Sequence, residues 1–318
     1  MGKKNVLLLE TIAEEALAIL EANTQVFTGY DPDTLKTVLA NEEIHAVITR
    51  GKGQINPALM DACPKLEIAA RCGVGLDNVD VAGATARNVK VINAPGSNAA
   101  TIAEHTLSLM LMLMRNMYTS VAEVKQDNWN WRNAYSGDEL SGKTLGILGM
   151  GNIGKRVARL ATAFGMNVIY WSRSIQDVHY PYLSMEEVLC QSDVLSLHLP
   201  YTKETGVLIS SAQLALMKPG AQLINTARGQ LIDHEALFEA LQTGRLSGFA
   251  ADVLPEEPPA SGFHIVHHPN ALITPHSGSL TASTFRKMCV LTVQNVVAAL
   301  NGQEPDPCSI FNREALHL

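Results

Sequence analysis

The run Gly149-Met150-Gly151-Asn152-Ile153-Gly154 constrains this chain more than any other feature. An apolar strand pattern, Thr144–Leu148, leads into it, and a helical pattern through Phe164 follows. In a strand–turn–helix setting each glycine has a separate task. Gly149 permits the tight turn, Gly151 lets backbone come close to a bound pyrophosphate, and Gly154 lets helix and strand pack closely. The helix start adds unbonded N–H groups and partial positive charge. Gly149, Gly151, Asn152, Ile153 and Gly154 are therefore expected to cradle a dinucleotide.

The rest of the chain repeats the same rhythm. Val6–Leu9, Ala46–Thr49, Ile68–Ala70 and Val89–Ile92 are apolar runs of strand length, separated by helical patterns such as Ala13–Ala22 and Pro32–Ala40. After the glycine turn, Val168–Trp171, Asp193–His198, Gln222–Asn225, Gly248–Asp252 and Ala271–Thr274 read as further strands. Alternating strands and helices predict α/β architecture with parallel, doubly wound sheets. Between the two series a single long helix is expected over Ala99 to Val124. A polar, aromatic arm with Trp129, Trp131 and Tyr135 follows it. A helix over about Ala282 to Asn301 is expected to return to the first domain. The expected organisation is a discontinuous, flavodoxin-like domain of residues 1–98 and 284–318, into which a Rossmann-like dinucleotide domain of residues 99–283 is inserted.

Composition excludes several classes of partner. With 318 residues, 47% hydrophobic and 17% charged, the chain can bury two cores. A net charge of −7 with no long Lys/Arg run argues against nucleic acid and anionic membrane. The apolar run Thr106–Met114 falls well short of the ~20 residues a spanning helix needs. Cys63, Cys72, Cys190, Cys289 and Cys308 form no CxxC pair, which suggests reduced thiols, a cytoplasmic location and no metal site.

Which dinucleotide binds is decided after the second strand. An acidic residue there would accept from the ribose 2′-hydroxyl of NAD. This chain has Ser172-Arg173-Ser174 instead. Hydroxyls and a guanidinium suit a 2′-phosphate, so NADP(H) is the expected preference, with NAD(H) also possible.

Three further segments each follow a predicted strand. They are Asn225-Thr226-Ala227-Arg228-Gly229, Asp252-Val253-Leu254-Pro255-Glu256-Glu257-Pro258 and Thr274-Pro275-His276-Ser277-Gly278. Strand ends of this kind are where α/β sheets place ligands. Arg228, Glu257 and His276 can thus converge beside a nicotinamide. With Arg71-Cys72-Gly73-Val74-Gly75-Leu76-Asp77-Asn78-Val79-Asp80, Ala103-Glu104-His105 and His198-Leu199-Pro200, these segments resemble the D-isomer-specific 2-hydroxyacid dehydrogenase family over nearly the whole chain.

The resemblance implies a role for each group. His276 would be the acid/base, Glu257 would orient and charge it, and Arg228 would bind the substrate carboxylate and carbonyl oxygen. Glu257 is chosen over Glu256 because the family's carboxylate stands directly before a proline. Formate dehydrogenases, which are related, carry an amide there. Backbone amides of Val74 and Gly75 would hold the carboxylate from the other domain. Cofactor contacts would come from Ser172, Arg173, Ser174, His198, Leu199, Pro200, Thr205, Thr226, Ala227, Asp252, Ser277 and Gly278, besides the glycine turn.

The substrate is a small anionic 2-oxo or 2-hydroxy acid. Arg50 and Arg71 resemble the phosphate contacts of 3-phosphoglycerate dehydrogenases, and Arg132 resembles an arginine lent there by a partner subunit. Those two arginines could instead pair with carboxylates such as Asp77 or Glu67. The Trp171-Ser172-Arg173-Ser174 run resembles NADPH-using glyoxylate/hydroxypyruvate reductases. A chain ending at Leu318 is expected to lack the regulatory domain of long phosphoglycerate dehydrogenases. Phosphohydroxypyruvate, hydroxypyruvate and glyoxylate all stay open as substrates. The same fold also serves as a non-enzymatic, dinucleotide-sensing corepressor, which turnover of any 2-oxo acid would exclude. The long helix and the aromatic arm are expected to build a homodimer.

Overall fold

Short apolar runs alternate with helices from the first residues onward, and in this computed structural model they build two all-parallel sheets. The structure describes residues 2–202 and 204–318. The chain divides into two compact units, Met1–Asn98 with Leu280–Leu318, and Ala99–Ser279.

The first unit opens with β1 (Asn5–Leu8), α1 (Glu14–Asn23), β2 (Gln25–Thr28), α2 (Pro32–Asn41) and β3 (Ala46–Thr49). It continues with α3 (Pro57–Asp61), β4 (Ile68–Arg71), α4 (Val81–Ala86) and β5 (Lys90–Ile92). The strands pair in the order β2-β1-β3-β4-β5. Four of these strands are apolar runs; β2 is not, and sequence reading passed over it. It lies at the sheet edge, half-exposed, so its residues Gln25-Val26-Phe27-Thr28 need not form an apolar block. Helix starts follow capping chemistry. Asp31 accepts from the N–H groups of Asp33 and Thr34 at α2, Asn56 from Leu59 at α3, and Asp80 from Gly83 at α4.

The second unit begins with α5 (Ala99–Met114) and α6 (Met117–Lys125). One continuous helix was expected here. It breaks because Asn116 takes a left-handed conformation, φ 46°, the role asparagine often plays just past a helix end. Then come β6 (Thr144–Leu148), α7 (Asn152–Ala163), β7 (Asn167–Trp171), α8 (Met185–Gln191) and β8 (Val194–Leu197). They are followed by α9 (Ser211–Leu216), β9 (Ala221–Asn225), α10 (His234–Gln242), β10 (Leu246–Ala251) and β11 (Ala271–Ile273). The sheet order is β11-β10-β9-β8-β6-β7. A single parallel bridge, Tyr170 to Tyr182, continues the edge beyond β7. It stands where a full third strand completes the usual 3-2-1-4-5-6 order. Both faces are buried: Leu195, Leu197, Leu223 and Phe249 pack on one side, and Leu145, Ile147, Val194, Ile224 and Ala250 on the other. Strands buried on both faces read as unbroken apolar runs, which made the inner strands visible in sequence; β11, at the edge and only partly buried, is a short apolar run all the same.

The last helix, α11 (Ala282–Leu300), belongs to the first unit. Its Cys289, Val293 and Val296 pack with Val6, Leu8, Ile48 and Ile68. Beyond it, Phe311 N–H donates to Val91 O at 2.8 Å and Val91 N–H to Asn312 Oδ1 at 2.9 Å.

Candidate active site

The glycine turn sits where the strand order reverses, between β6 and β8, the place where open α/β sheets bind ligands. Gly149 has φ +105°, and a Cβ there would lie 2.5 Å from His198 O. A Cβ on Gly154 would lie 2.1 Å from Gly149 O, so helix and turn touch backbone to backbone. Gly151 is the reverse case: a Cβ there would meet nothing within 4 Å. Two glycines close the turn and the third keeps the space above it open. No side chain caps the start of α7 at Gly151, which leaves its first N–H groups to an external anion. These residues fit a dinucleotide pyrophosphate.

The β7 end and the loop after β8 build the neighbouring hollow. It is lined by Trp171, Arg173, Leu199, Pro200, Thr205 and Leu208. Ser172 is buried and its hydroxyl donates to Ser174 O at 2.5 Å, while Arg173 and Ser174 are exposed. His198 holds Ser196 Oγ at 2.9 Å through Nε2, and burial pushes its pKa down to about 3, so its ring stays neutral.

The ends of β9, β10 and β11 bring the reactive groups together. After β9, Asn225 folds the loop by accepting from Ala227 N–H at 2.9 Å and donating to Arg228 O at 2.8 Å. Arg228 Nη1 donates to Ala227 O at 2.6 Å. Thr226 Oγ1 and Thr106 Oγ1 lie 2.8 Å apart. A Cβ on Gly229 would fall 2.1 Å from the Leu254 carbonyl carbon. Only glycine lets the Arg228 loop lie this close to the Leu254–Glu257 loop.

Glu257 Oε2 is 2.6 Å from His276 Nδ1, and Glu257 Oε1 accepts from Leu254 N–H at 2.9 Å. With Nδ1 committed to the carboxylate, Nε2 is the nitrogen left to exchange a proton with a substrate. The His276 pKa is raised, first by this hydrogen bond and then by the charges of Glu257 and Asp252; burial and the nearby Arg228 guanidinium oppose the shift. Burial alone would raise the Glu257 carboxyl, yet the bonds from His276 and Leu254 and the imidazolium charge hold it below its ordinary value. Asp252 is buried and accepts from Thr274 Oγ1 at 2.5 Å, Ser277 N–H at 2.9 Å and Gly278 N–H at 2.8 Å. Its carboxyl is lowered because these bonds, with His105 Nε2 close by at 3.4 Å, outweigh burial. Asp252, Ser277 and Gly278, expected from sequence as cofactor contacts, bond to one another.

The first unit carries the remaining residues. Gly73 O accepts from Ala94 N–H at 2.9 Å, and Val74 O accepts from Asn93 Nδ2 at 2.7 Å. A trans peptide points its N–H opposite to its C=O, so the amides of Val74 and Gly75 face away from Asn93 and Ala94. Arg71 Nε donates to Arg50 O at 2.6 Å, Nη1 donates to Gly75 O, and Nη1 stands 4.0 Å from Asp77 Oδ2. Arg50 stands 3.7 Å from Glu10 Oε2, with its guanidinium 5.2 Å from the Phe285 ring centre. Both arginines thus have partners inside their own unit.

Sequence reading overlooked Glu10, and it named His105 only within Ala103-Glu104-His105, with no role. Glu10 Oε1 accepts from the N–H groups of Arg50, Gly51, Lys52 and Gly53 at 3.1, 2.7, 2.7 and 2.9 Å. Against the cost of burial, these bonds lower its pKa to about 2. His105 joins the Asp252 group across 169 residues of sequence, a separation that leaves no local signal.

A glycine turn at the sheet's switch point and a carboxylate-bound imidazole at neighbouring strand ends define a dinucleotide-dependent oxidoreductase. The model of the D-isomer-specific 2-hydroxyacid dehydrogenase family's NAD-binding domain matches residues 107–278. A glyoxylate reductase of Aeropyrum pernix is 37% identical, covering 99% of this chain and 98% of that protein. A D-3-phosphoglycerate dehydrogenase of Mycobacterium leprae is 36% identical over 96% of this chain, which spans 58% of that relative's length. The crystal structure of an NADPH-dependent glyoxylate/hydroxypyruvate reductase from Sinorhizobium meliloti, with NADP and malonate, superposes with TM-score 0.85 at 29% identity over 93% of each chain. The chain belongs to the D-isomer-specific 2-hydroxyacid dehydrogenase family and is an enzyme of that class. No helix among the described residues is long and apolar enough to cross a membrane.

Proposed function

We propose that this enzyme reduces glyoxylate to glycolate, or hydroxypyruvate to its D-2-hydroxy acid, with NADP(H) as its preferred cofactor. The 2.6 Å pair of His276 and Glu257, beside Arg228, carries this reading. The bound dinucleotide supplies the hydride. His276 Nε2–H donates a proton to the carbonyl oxygen and takes it back in the reverse direction. Glu257 keeps the imidazole charged and aimed. Arg228 holds the substrate carboxylate and carbonyl oxygen.

The unphosphorylated substrate is favoured by the state of the two arginines. Arg50 is matched by Glu10 and Phe285, and Arg71 by Arg50 O, Gly75 O and Asp77. A phosphate tail would have to compete with these partners. Arg173, exposed at the rim of the β7 hollow, is the group suited to a 2′-phosphate, whereas the Ser172 hydroxyl already bonds Ser174 O. The Met1–Asn98 and Leu280–Leu318 unit is read as the substrate domain, and Ala99–Ser279 as the cofactor domain.

The working form is read as a homodimer joined through α5, α6 and the aromatic arm, in the cytoplasm. None of the residues of α6 is buried, and Met117, Tyr118, Val121 and Val124 are about half or more exposed, as is Trp129. Such an apolar cluster marks a contact surface. The five cysteines are all free, in keeping with a reducing compartment.

Steady-state assays of purified protein with NADPH and NADH against glyoxylate, hydroxypyruvate and phosphohydroxypyruvate test the reading. NADPH and an unphosphorylated acid should give the highest kcat/KM. His276→Ala should lose on the order of 10³ in kcat, with dinucleotide affinity changed less than about twofold. Near-normal turnover in that variant removes the assignment, and a preference for NADH removes the cofactor reading.

A further inference from the structure

Ala103-Glu104-His105, in the second turn of α5, is part of the resemblance to the family, yet the chemistry above gives His105 no task. Its Nε2 is 3.0 Å from Thr274 Oγ1, and Thr274 Oγ1 is 2.5 Å from Asp252 Oδ1. A threonine hydroxyl has one proton. At that distance from a carboxylate oxygen, the proton lies in the bond to Asp252. The Thr274 oxygen must therefore accept from His105, and the imidazole carries its hydrogen on Nε2. The same nitrogen stands 3.4 Å from Asp252 Oδ1.

This chain of donors ends on the loop that carries His276. Asp252 holds Ser277 N–H and Gly278 N–H, and His276 N–H donates to Thr274 O at 2.9 Å. His105 and Asp252 close on Gly278 from two sides: a Cβ there would lie 2.8 Å from Asp252 Oδ2 and 3.1 Å from His105 Cδ2. His276 itself has φ +51°, a left-handed conformation uncommon in a residue other than glycine.

We propose that His105 is a positioning residue for His276: by donating to Thr274 it aims the Thr274 hydroxyl at Asp252 and so braces residues 274–278 in the shape that presents the imidazole. The proposal rests on the assignment of His276 as the acid/base.

The property that matters is an N–H at the place of Nε2, which a glutamine amide can supply and a leucine cannot. His105→Leu should lower kcat about tenfold, while KM for the 2-oxo acid and the dinucleotide Kd stay within about twofold. His105→Gln should recover most of that loss. Thr274→Val should reproduce it and Thr274→Ser should not, which covers the case of a His105→Leu protein that does not fold. The downfield proton resonance of His276 Nδ1–H, assigned by its absence in His276→Ala, should persist in His105→Gln and broaden or vanish in His105→Leu. Full kcat in His105→Leu, or equal losses in the Leu and Gln variants, overturns the proposal. A wild-type protein that turns over no 2-oxo acid removes the His276 assignment instead, and the resonance still tests the bracing by His105.

Discussion

Charge at His276 is set by what surrounds one imidazole. Glu257 and Asp252 favour the imidazolium, and their effect exceeds that of burial and Arg228. In the role proposed for His276, reduction uses the protonated ring, so kcat/KM should be flat at low pH and fall as pH rises through the raised His276 pKa. Glu257→Gln removes the largest raising influence. That limb should then move to lower pH, and reduction at neutral pH should weaken by about 10- to 100-fold. A pH profile of kcat/KM for both proteins measures this, and a limb left in place contradicts it. Arg228, Glu257 and His276 were legible in sequence because each follows an apolar strand within a few residues. The hydrogen bonds of His105 were not, because they span helix to strand end across the fold and depend on which way a threonine hydroxyl turns.

Glu10 joins two elements, the end of β1 and the loop after β3. One carboxylate oxygen takes four backbone N–H groups, so this loop is ordered by a charge rather than by packing. Its pKa lies below that of the unfolded chain. The sign follows: this stabilisation is complete above about pH 4.5 and is lost as pH falls toward 2. Glu10→Gln should therefore cost about 1–3 kcal/mol in urea unfolding at pH 7, with the difference from wild type shrinking at low pH. An equal difference at pH 7 and pH 3 would contradict it. Element patterns were readable wherever both sheet faces are covered. The half-exposed edge strand β2 was not, and the α5–α6 break was missed because an asparagine in the left-handed region looks locally like any other helical residue.

For the molecule as a whole, the unpartnered surface of the second unit predicts self-association. Besides the exposed face of α6, a cavity of about 650 Å³ opens at the N-terminal ends of the strands, lined by Asn116, Tyr118, Asp138, Lys143 and Gln222 among others. It lies at the wrong end of the sheet for the chemistry, since ligands of such sheets sit at the carboxyl ends. Its neighbourhood to α6 suits a second copy of the chain. Val121→Asp should shift wild-type dimers to monomers in sedimentation velocity at micromolar concentration, with the far-ultraviolet circular dichroism unchanged. A monomeric wild type at that concentration would end the dimer reading. The two-sheet plan was legible because every strand pairs in parallel and so recurs with an intervening helix; which residues close each sheet was not. Residues 280–318 complete that closure for the first unit, with α11 over its core and Asn312 and Phe311 bonded to Val91. On the ribosome this reverses the order of completion. The strands made first wait, with one face covered only in part by α1, while residues 99–279 are synthesised and can already form their own sheet. The first unit therefore depends longest on whatever shields nascent apolar surface.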